Sequence, residues 1–283
     1  MTSDSENRPK PWGDNVLVDF EDRIAWVTLN RPDKRNAMSP PLNEEMNRVL
    51  DALETDDRCG ILVLTGAGES FTAGMDLREY FRATDGDPAQ FKRNREITER
   101  WHWRKLRDYA KPTIAMVNGW CFGGGFTPLC SCDLAIAADE ATFGVSEVNW
   151  GILPGGNVTK ALSTLMGHRD ALYYIMTGDT FTGQEAARMG VVNKSVPLAH
   201  LRDETKALAL KLLEKGPAVL HAAKTAFKRV DLMDWDTASE WLISKQYELR
   251  QADREDIRNR SLESFLDKKE FRPGLGAFDR GGA

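Results

Sequence analysis

The chain has 283 residues, and its 38 basic and 43 acidic side chains leave a formal net charge of -5. Nucleic-acid-binding surfaces usually need a clustered basic excess, so this balance argues against that class of partner. The mean hydropathy is -0.46 and no run approaches the roughly eighteen apolar residues of a membrane span. The polar start of the chain has no hydrophobic segment typical of a secretory signal, which predicts a cytoplasmic protein.

The first part of the chain alternates strand and helix patterns. Residues 16–20 and 24–29 are two β-rich runs joined by a short charged turn, which predicts a hairpin. A serine N-cap followed by proline, and then apolar residues at helical spacing, predicts a helix over residues 40–54. The continuous apolar run at 61–65 predicts a strand covered on both faces.

The same order returns further along the chain. Strands are predicted over residues 113–117, 133–137 and 141–144, with a triple glycine at 123–125 between the first two. Strands separated by helical stretches, each leading into a glycine-bearing loop, indicate repeated β/α units and an α/β fold class.

The chain beyond residue 157 shows almost no strand pattern. Its apolar side chains can pack on the same chain or on a neighbouring subunit, and periodicity does not separate these alternatives. Helices are predicted over residues 158–178, 183–189, 198–215 and 217–230, with a longer helical region over 235–266.

Two glycine turns are candidate ligand sites. The triple glycine at 123–125 allows close backbone approach to a ligand, and a helix beginning there would present free N–H groups to a phosphate or an oxyanion. A second turn, at Gly74, follows the strand at 61–65, so the two turns can each contribute one N–H to a shared oxygen. Close helix–strand packing is the alternative role for the triple glycine.

Glu147 is the candidate for proton transfer. It lies in a largely apolar stretch, residues 144–150, directly after a predicted strand. Apolar surroundings raise the pKa of a carboxyl group and suit general acid–base work near neutral pH. A solvated loop glutamate is the alternative. The four cysteines show neither a disulfide framework nor zinc-ligand spacing, and no metal site is predicted.

Taken together, these segments resemble the crotonase (enoyl-CoA hydratase/isomerase) superfamily over nearly the whole chain. The resemblance implies a crotonase-type spiral of ββα units closed by a C-terminal helical trimerisation region. We expect a mobile tail over residues 1–12, the acyl-CoA-binding catalytic spiral over 13–200, and a helical oligomerisation region over 201–283. The matching segments are Asn30-Arg-Pro32, Asn36-Ala37, Ala73-Gly-Met-Asp76, Lys111-Pro112, Asn118-Gly119, Gly123-Gly-Gly125, Cys132-Asp-Leu134, Phe143-Gly144, Glu147 and Pro154-Gly155.

Within the superfamily, residues 74–81, 111–126 and 173–178 look most like the hydroxycinnamoyl-CoA (feruloyl-CoA) hydratase-lyases. This likeness implies addition of water to feruloyl-CoA or 4-coumaroyl-CoA, followed by retro-aldol cleavage to vanillin or 4-hydroxybenzaldehyde and acetyl-CoA. A general enoyl-CoA hydratase or isomerase, and a catalytically silent acyl-CoA-binding protein, are the alternatives. No cofactor is implied beyond the coenzyme A of the substrate.

The resemblance also assigns catalytic roles. The backbone N–H groups of Met75 and Gly124 would form an oxyanion hole for the thioester oxygen, and Glu147 falls at the acid–base position. Simple hydratases carry a second glutamate where this chain has Thr127, and the lyases resemble one-carboxylate enzymes with a serine there. The departure disfavours ordinary two-glutamate hydration.

Binding roles follow in the same way. Tyr80 matches a tyrosine that binds the substrate's 4-hydroxyl in the lyases, and Trp150 is also assigned to the substrate. Ile243 stands where the lyases have a second phenol-binding tyrosine, and Tyr247, one helical turn beyond, is the candidate substitute.

The coenzyme A moiety is expected to contact four residues, and the assembly to be a homotrimer or a dimer of trimers. The implied partner is a small-molecule acyl-CoA, with no nucleic acid and no membrane. The coenzyme contacts are Lys34, Arg35, Ala37 and Ala73.

Overall fold

Two sheets organise the chain in the computed structural model, which describes residues 12–281. Within these residues the strands, named β1 to β10 in chain order, are Val16–Glu21, Ile24–Leu29, Ile61–Gly66, Ser70–Thr72, Thr113–Val117, Trp120–Phe122, Leu134–Ala138, Thr142–Gly144, Thr180–Thr182 and Lys194–Val196. The α-helices, α1 to α10, are Pro40–Thr55, Pro88–Glu99, Phe126–Ser131, Val158–Leu165, His168–Thr177, Gly183–Met189, Leu198–Leu213, Pro217–Val230, Trp235–Ala252 and Ile257–Glu263.

From β3 to β8, successive strands alternate between the two sheets. The larger sheet has the order β1-β2-β3-β5-β7-β10, and the smaller one has the order β4-β6-β8-β9. Only β1 runs antiparallel to its neighbour in the larger sheet, while β2, β3, β5, β7 and β10 are parallel. The pairs β3–β4, β5–β6 and β7–β8 each place one strand in each sheet before the chain turns into a helix. This repeated ββα arrangement is the spiral that the sequence predicts.

The longest sequence patterns are confirmed. β1 and β2 form the predicted hairpin, with Val16 opposite Leu29. Helix α1 begins after Ser39, whose hydroxyl accepts a hydrogen bond from the Leu42 amide. β3 and β5 are buried along their whole length, because helices or the second sheet cover both of their faces.

Other predictions differ from the structure in their boundaries. The helix predicted over 158–178 is two helices, α4 and α5, because the chain is extended at Gly167 (ψ 146°). The helical region predicted over 235–266 is also interrupted, at Asp256, which has a φ of 49°. The strands β4, β6, β9 and β10 are not predicted from the sequence, since each has only three residues and shows no clear alternation.

The ends of the predicted domains are only partly described. Residues 1–11 of the predicted tail lie outside the described residues. Trp12 packs partly buried on the core, and its carbonyl oxygen accepts a hydrogen bond from Arg48 at 3.0 Å. The division at residue 200 stays a prediction. Across residues 12–281, no helix combines the length and the apolar character needed to cross a bilayer.

A buried ion cluster fastens α8 to the spiral. Asp133, just before β7, accepts hydrogen bonds from Lys224 at 2.7 Å and from Lys228 at 2.5 Å. Its Oδ2 also accepts from the backbone amide of Thr113, at 2.8 Å, at the start of β5. Burial lowers the pKa of Lys224, and the Asp133 carboxylate opposes this effect. The carboxylate therefore keeps two nearly buried ammonium groups paired.

We expect Asp133→Asn to lower the free energy of unfolding by about 3–5 kcal/mol, because it leaves two buried cations without a carboxylate. The matched control is Asp108→Asn, which removes the half-exposed partner of Arg229 and should cost only about 0–1 kcal/mol. Urea titrations at equal protein concentration measure both values. Equal effects of the two substitutions would contradict the role assigned to the cluster.

Candidate active site

Two backbone segments cross at a distance that a side chain would prevent. Gly74 has a φ of +88°, and a Cβ atom built on it would lie 2.7 Å from the Phe122 carbonyl oxygen and 3.1 Å from the Gly124 nitrogen. A Cβ atom built on Gly124 would lie 3.4 Å from the Met75 nitrogen. The loop after β4 therefore packs directly on the loop after β6, as the two glycine turns predict.

This crossing brings the amides of Met75 and Gly124 together. Neither N–H donates a hydrogen bond to another residue in the described part of the chain, whereas the neighbouring Gly74 amide donates to Thr72 at 3.1 Å. Gly124 lies in the helical turn Gly123–Gly125, whose first amides have no partner within the helix. Two adjacent N–H donors of this kind can bind one oxyanion.

The Glu147 carboxylate lies against the same turn. Glu147 belongs to the helical turn Ser146–Trp150, which directly follows Val145 at the end of β8. A Cβ atom on Gly123, whose φ is +46°, would lie 2.7 Å from Glu147 Oε1, so only glycine leaves room for the carboxylate. Oε2 is buried and has no hydrogen-bond partner within residues 12–281. Burial raises the pKa of Glu147, as its apolar sequence context predicts.

Thr127 holds a loop rather than presenting a free hydroxyl. Its side chain is buried in α3, and Oγ1 donates a hydrogen bond of 2.6 Å to the Gly156 carbonyl oxygen. Gly156 has a φ of +59° and lies in the loop between Glu147 and α4. The contact therefore ties α3 to the chain that follows the Glu147 turn.

Tyr80 lies in an aromatic cluster. It belongs to the wide helical turn Leu77–Phe81 and is almost fully buried, with its ring packed edge-on against Phe81 at 5.0 Å and Phe91 at 5.9 Å. Burial raises the pKa of the Tyr80 phenol, and the Thr98 hydroxyl opposes this rise. The Tyr80 ring therefore lies in the interior, and its role toward the substrate stays a prediction.

The other two aromatic candidates are exposed. Trp150 ends the helical turn that carries Glu147, and 68% of its surface is accessible. Tyr247 is 61% exposed on α9, with the Arg250 guanidinium 5.4 Å from its ring centre. In the described chain, no hydrogen bond or ring contact joins Tyr247 to Met75, Gly124 or Glu147. Trp150 therefore shares a helical turn with Glu147, whereas the described contacts of Tyr247 do not link it to this turn.

Three of the four predicted coenzyme contacts, Lys34, Arg35 and Ala37, lie on the loop before Met38, and the fourth, Ala73, directly follows β4. Lys34 and Arg35 are exposed, and the Arg35 guanidinium stacks 4.4 Å above the Trp120 ring. The Ala73 amide donates to the Arg35 carbonyl oxygen at 2.8 Å. The Ala37 carbonyl oxygen is also engaged, because Arg31 donates to it at 2.7 Å. Lys34 and Arg35 thus present positive charge beside the glycine crossing.

Asn36 and Arg31, two largely buried polar residues, shape the site although the sequence assigns them no role. Asn36 has a φ of 55°, and its Nδ2 donates to the carbonyl oxygens of Ala67 and Ser70 at 2.9 and 2.7 Å. Arg31 bridges the Ala37 carbonyl and the Asp76 carboxylate. Both residues belong to matching segments of the resemblance, which was the available signal.

Residues 12–281 contain no assembled site for metal binding or for thiol chemistry. No three His, Cys, Asp or Glu side chains cluster there as metal ligands. Burial raises the pKa of Cys132 to about 12 and lowers that of His102 to about 3, so both are neutral. His102 packs against Trp101 and Met38 in the interior.

Comparisons with known proteins agree with this geometry. The family model described as enoyl-CoA hydratase/isomerase matches residues 19–274. The chain is 59% identical to hydroxycinnamoyl-CoA hydratase-lyase of Pseudomonas fluorescens, over 94% of this chain and 96% of that protein. It is 37% identical to short-chain-enoyl-CoA hydratase of Clostridium acetobutylicum, over 79% of this chain and 85% of that protein.

Solved structures share the fold. The enoyl-CoA hydratase of Bacillus anthracis superposes with a TM-score of 0.81 at 28% identity, covering 95% of this chain and all (100%) of that one. An enoyl-CoA hydratase subunit of Geobacillus kaustophilus also gives 0.81, at 30% identity, covering 91% of this chain and 97% of that one. The predicted crotonase-type spiral is confirmed, and the chain belongs to the enoyl-CoA hydratase/isomerase family.

Proposed function

We propose that this chain is a hydratase-lyase that converts 4-hydroxycinnamoyl-CoA thioesters and water into an aromatic aldehyde and acetyl-CoA. The observation that carries the reaction type is the Glu147 carboxylate lying against Gly123, beside the adjacent amides of Met75 and Gly124. The 59% identity to a hydroxycinnamoyl-CoA hydratase-lyase supports the substrate class. A general enoyl-CoA hydratase is the second candidate, supported by the 37% identical relative.

The two amides would bind the thioester carbonyl oxygen. When water adds to the β-carbon, the electrons of the double bond move onto this oxygen and form an enolate. Met75 and Gly124 are fixed by the glycine crossing, so no reorganisation is needed as the charge develops there. Losing one donor of this kind typically costs about 2.7–4 kcal/mol in the barrier.

Glu147 would move the protons of both stages. As a carboxylate it takes a proton from the attacking water, and the protonated acid then returns a proton to the α-carbon, which gives the β-hydroxy thioester. In the second stage Glu147 removes the β-hydroxyl proton, the bond between the α- and β-carbons breaks, and the aldehyde leaves. The acetyl-CoA enolate takes the proton from Glu147. Its raised pKa suits a group that alternates between acid and base.

Thr127 would serve as a positioning residue in this scheme. Its hydroxyl is committed to the Gly156 carbonyl oxygen, which supports a structural hold on the loop after Glu147. A threonine cannot act as a second carboxylate base. In the proposed scheme, Glu147 alone therefore carries out the proton transfers of both stages.

Tyr80 and Trp150 would contact the aromatic ring of the substrate. Tyr80 is a buried phenol in an aromatic cluster, a setting that recognises a second phenol by a hydrogen bond. Trp150 is adjacent to the acid–base residue in the same helical turn. Tyr247 is proposed to reach the ring from a neighbouring subunit in place of the tyrosine replaced by Ile243.

The coenzyme A moiety would lie along the loop that carries Lys34, Arg35 and Ala37, with Ala73 beside it. The exposed cations there can bind phosphate groups.

We also propose a cytoplasmic location, which the free and buried thiols of Cys59 and Cys121 support, because free thiols persist in reducing compartments.

The proposed assembly is a homotrimer or a dimer of trimers. The C-terminal helices leave large apolar side chains in solvent when the chain is alone, and patches of this kind mark interfaces. The exposed fractions are 78% for Phe227, 80% for Leu232 and 90% for Trp235.

We expect Glu147→Gln to keep the fold and thioester binding but to lower kcat on feruloyl-CoA by about 10²–10⁴-fold, the range for loss of a general acid–base. In the wild type, the acid limb of the kcat/KM profile should lie above the ordinary glutamate range. The base must be ionised and burial raises its pKa, so activity falls as the pH falls through that raised value. Near-normal turnover by the variant would remove Glu147 from the mechanism.

We expect 4-coumaroyl-CoA to react about ten- to a hundredfold faster than cinnamoyl-CoA, because the analogue leaves a buried phenol-binding group unpaired. Tyr80→Phe should narrow this ratio. Tyr173→Phe, the same change on an exposed phenol paired with Asp179, should leave it unchanged. Aldehyde release measures the rates. Equal wild-type rates on both thioesters, with activity on crotonyl-CoA, would favour the general hydratase.

We expect sedimentation to give three or six times the 31.8 kDa chain mass. Trp235→Ser, which makes the most exposed tryptophan polar, should shift the distribution toward single chains. A wild-type mass of one chain at micromolar concentration would contradict the proposed assembly.

A further inference from the structure

We propose that Arg31 is a positioning residue that joins the coenzyme-binding loop to the oxyanion-hole amide of Met75. The inference rests on the proposed function, since it concerns the same pair of amides. Arg31 itself contacts neither of the two amides and acts through Asp76.

The Arg31 guanidinium contacts both segments at once. Its Nη1 donates to the Ala37 carbonyl oxygen at 2.7 Å and to Asp76 Oδ2 at 3.0 Å. Its Nη2 donates to Glu79 Oε1 at 2.7 Å. The side chains of Arg31 and Asp76 are only 11% and 10% exposed, so this ion pair is shielded from water and salt. One side chain therefore links the loop at 34–38 to Asp76, the residue that follows Met75.

Asp76 transmits this contact to the backbone beside Met75. Its Oδ1 accepts from the amides of Arg78 and Glu79 at 3.0 and 2.9 Å and so caps the turn that carries Tyr80. Burial would raise the pKa of Asp76, but the Glu79 amide and the Arg31 guanidinium together lower it, so the carboxylate stays charged. Both carboxylate oxygens of Asp76, the residue that follows Met75, are thus held by hydrogen bonds.

Met38 holds the other edge of the same segment. The Met38 amide donates to the Gly74 carbonyl oxygen at 2.8 Å, and the Asp76 amide donates to the Met38 carbonyl oxygen at 3.1 Å. The Met75 peptide lies between these two bonds, and Met38 directly follows Ala37, whose carbonyl Arg31 binds. A shift of the loop at 34–38 is therefore carried to the Met75 amide by the backbone and by the Arg31–Asp76 pair together.

The contact geometry requires arginine rather than any cation. Three acceptors in three directions are bound by one planar guanidinium, and an ammonium group on a flexible stem cannot hold the same fork. Displacing a catalytic group by about 1 Å can lower a rate by about 10²-fold. The Arg31–Asp76 pair therefore has a direct path to catalysis without touching the reacting atoms.

Arg31→Lys and Asp76→Asn test the proposal. An asparagine at position 76 can still cap the turn through its carbonyl oxygen, but its amide group faces the Arg31 donors, so it breaks the pair selectively. We expect each substitution to lower kcat about 10- to 100-fold with a smaller change in KM. The double variant should be no slower than the slower single variant, because the two residues act as one unit.

A vibrational readout separates positioning from stability. In the Glu147→Gln background, which halts turnover, the ¹³C-labelled thioester C=O stretch of bound feruloyl-CoA should move to lower wavenumber than in water. Arg31→Lys and Asp76→Asn should lose part of this shift, because the Met75 donor is displaced. Glu79→Gln, which removes only the half-exposed partner of Arg31, should keep it.

An unchanged stretch and kcat in both variants, with only a lower melting temperature, would overturn the proposal. If the wild type does not cleave feruloyl-CoA, the substrate assignment fails, and the same stretch measured with crotonyl-CoA still decides the role of Arg31.

Discussion

The close crossing of the chain at Gly74 with the chain at 122–124 is the constraint on which the rest of the site depends. A Cβ atom on Gly74 would meet the Phe122 carbonyl oxygen at 2.7 Å, so the two loops approach at backbone distance. Only this approach sets the Met75 and Gly124 amides side by side. Gly123, which directly precedes Gly124 in the same turn, leaves room for the Glu147 carboxylate. The proposed oxyanion donors and the proposed acid–base group are therefore positioned by a single packing event.

The ββα spiral explains why these loops meet. β4 and β6 are neighbours in the smaller sheet, and their parallel pairing brings the segments that follow them to the same edge. β8 pairs with β6 in the same direction, which delivers the Glu147 turn to that edge as well. Asn36 and Arg31 then tie the preceding loop to this group. The amides of Met75 and Gly124 and the Glu147 carboxylate thus come together within one chain, whereas the exposed Tyr247 and Trp235 both lie on α9.

Much of this could be predicted from the sequence, for reasons that differ between elements. β3 and β5 are continuous apolar runs, and α1 has both a cap and a clear apolar face, so local pattern alone was sufficient. Strands of three residues, such as β9 and β10, are too short to show a period and form only because a neighbouring strand is present. Glu147 and Gly74 were identified because each follows a predicted strand. The role of Arg31 depends on a contact with Asp76, 45 residues away, which no local pattern encodes.

A crystal structure of Glu147→Gln with bound feruloyl-CoA would show whether the Met75 and Gly124 amides bind the thioester oxygen. We expect the thioester carbonyl oxygen to lie about 2.7–3.1 Å from both the Met75 and the Gly124 nitrogen. We also expect the β-carbon to lie on the side of the ligand that faces residue 147. A thioester oxygen bound away from either amide, with residue 147 remote from the β-carbon, would contradict the account.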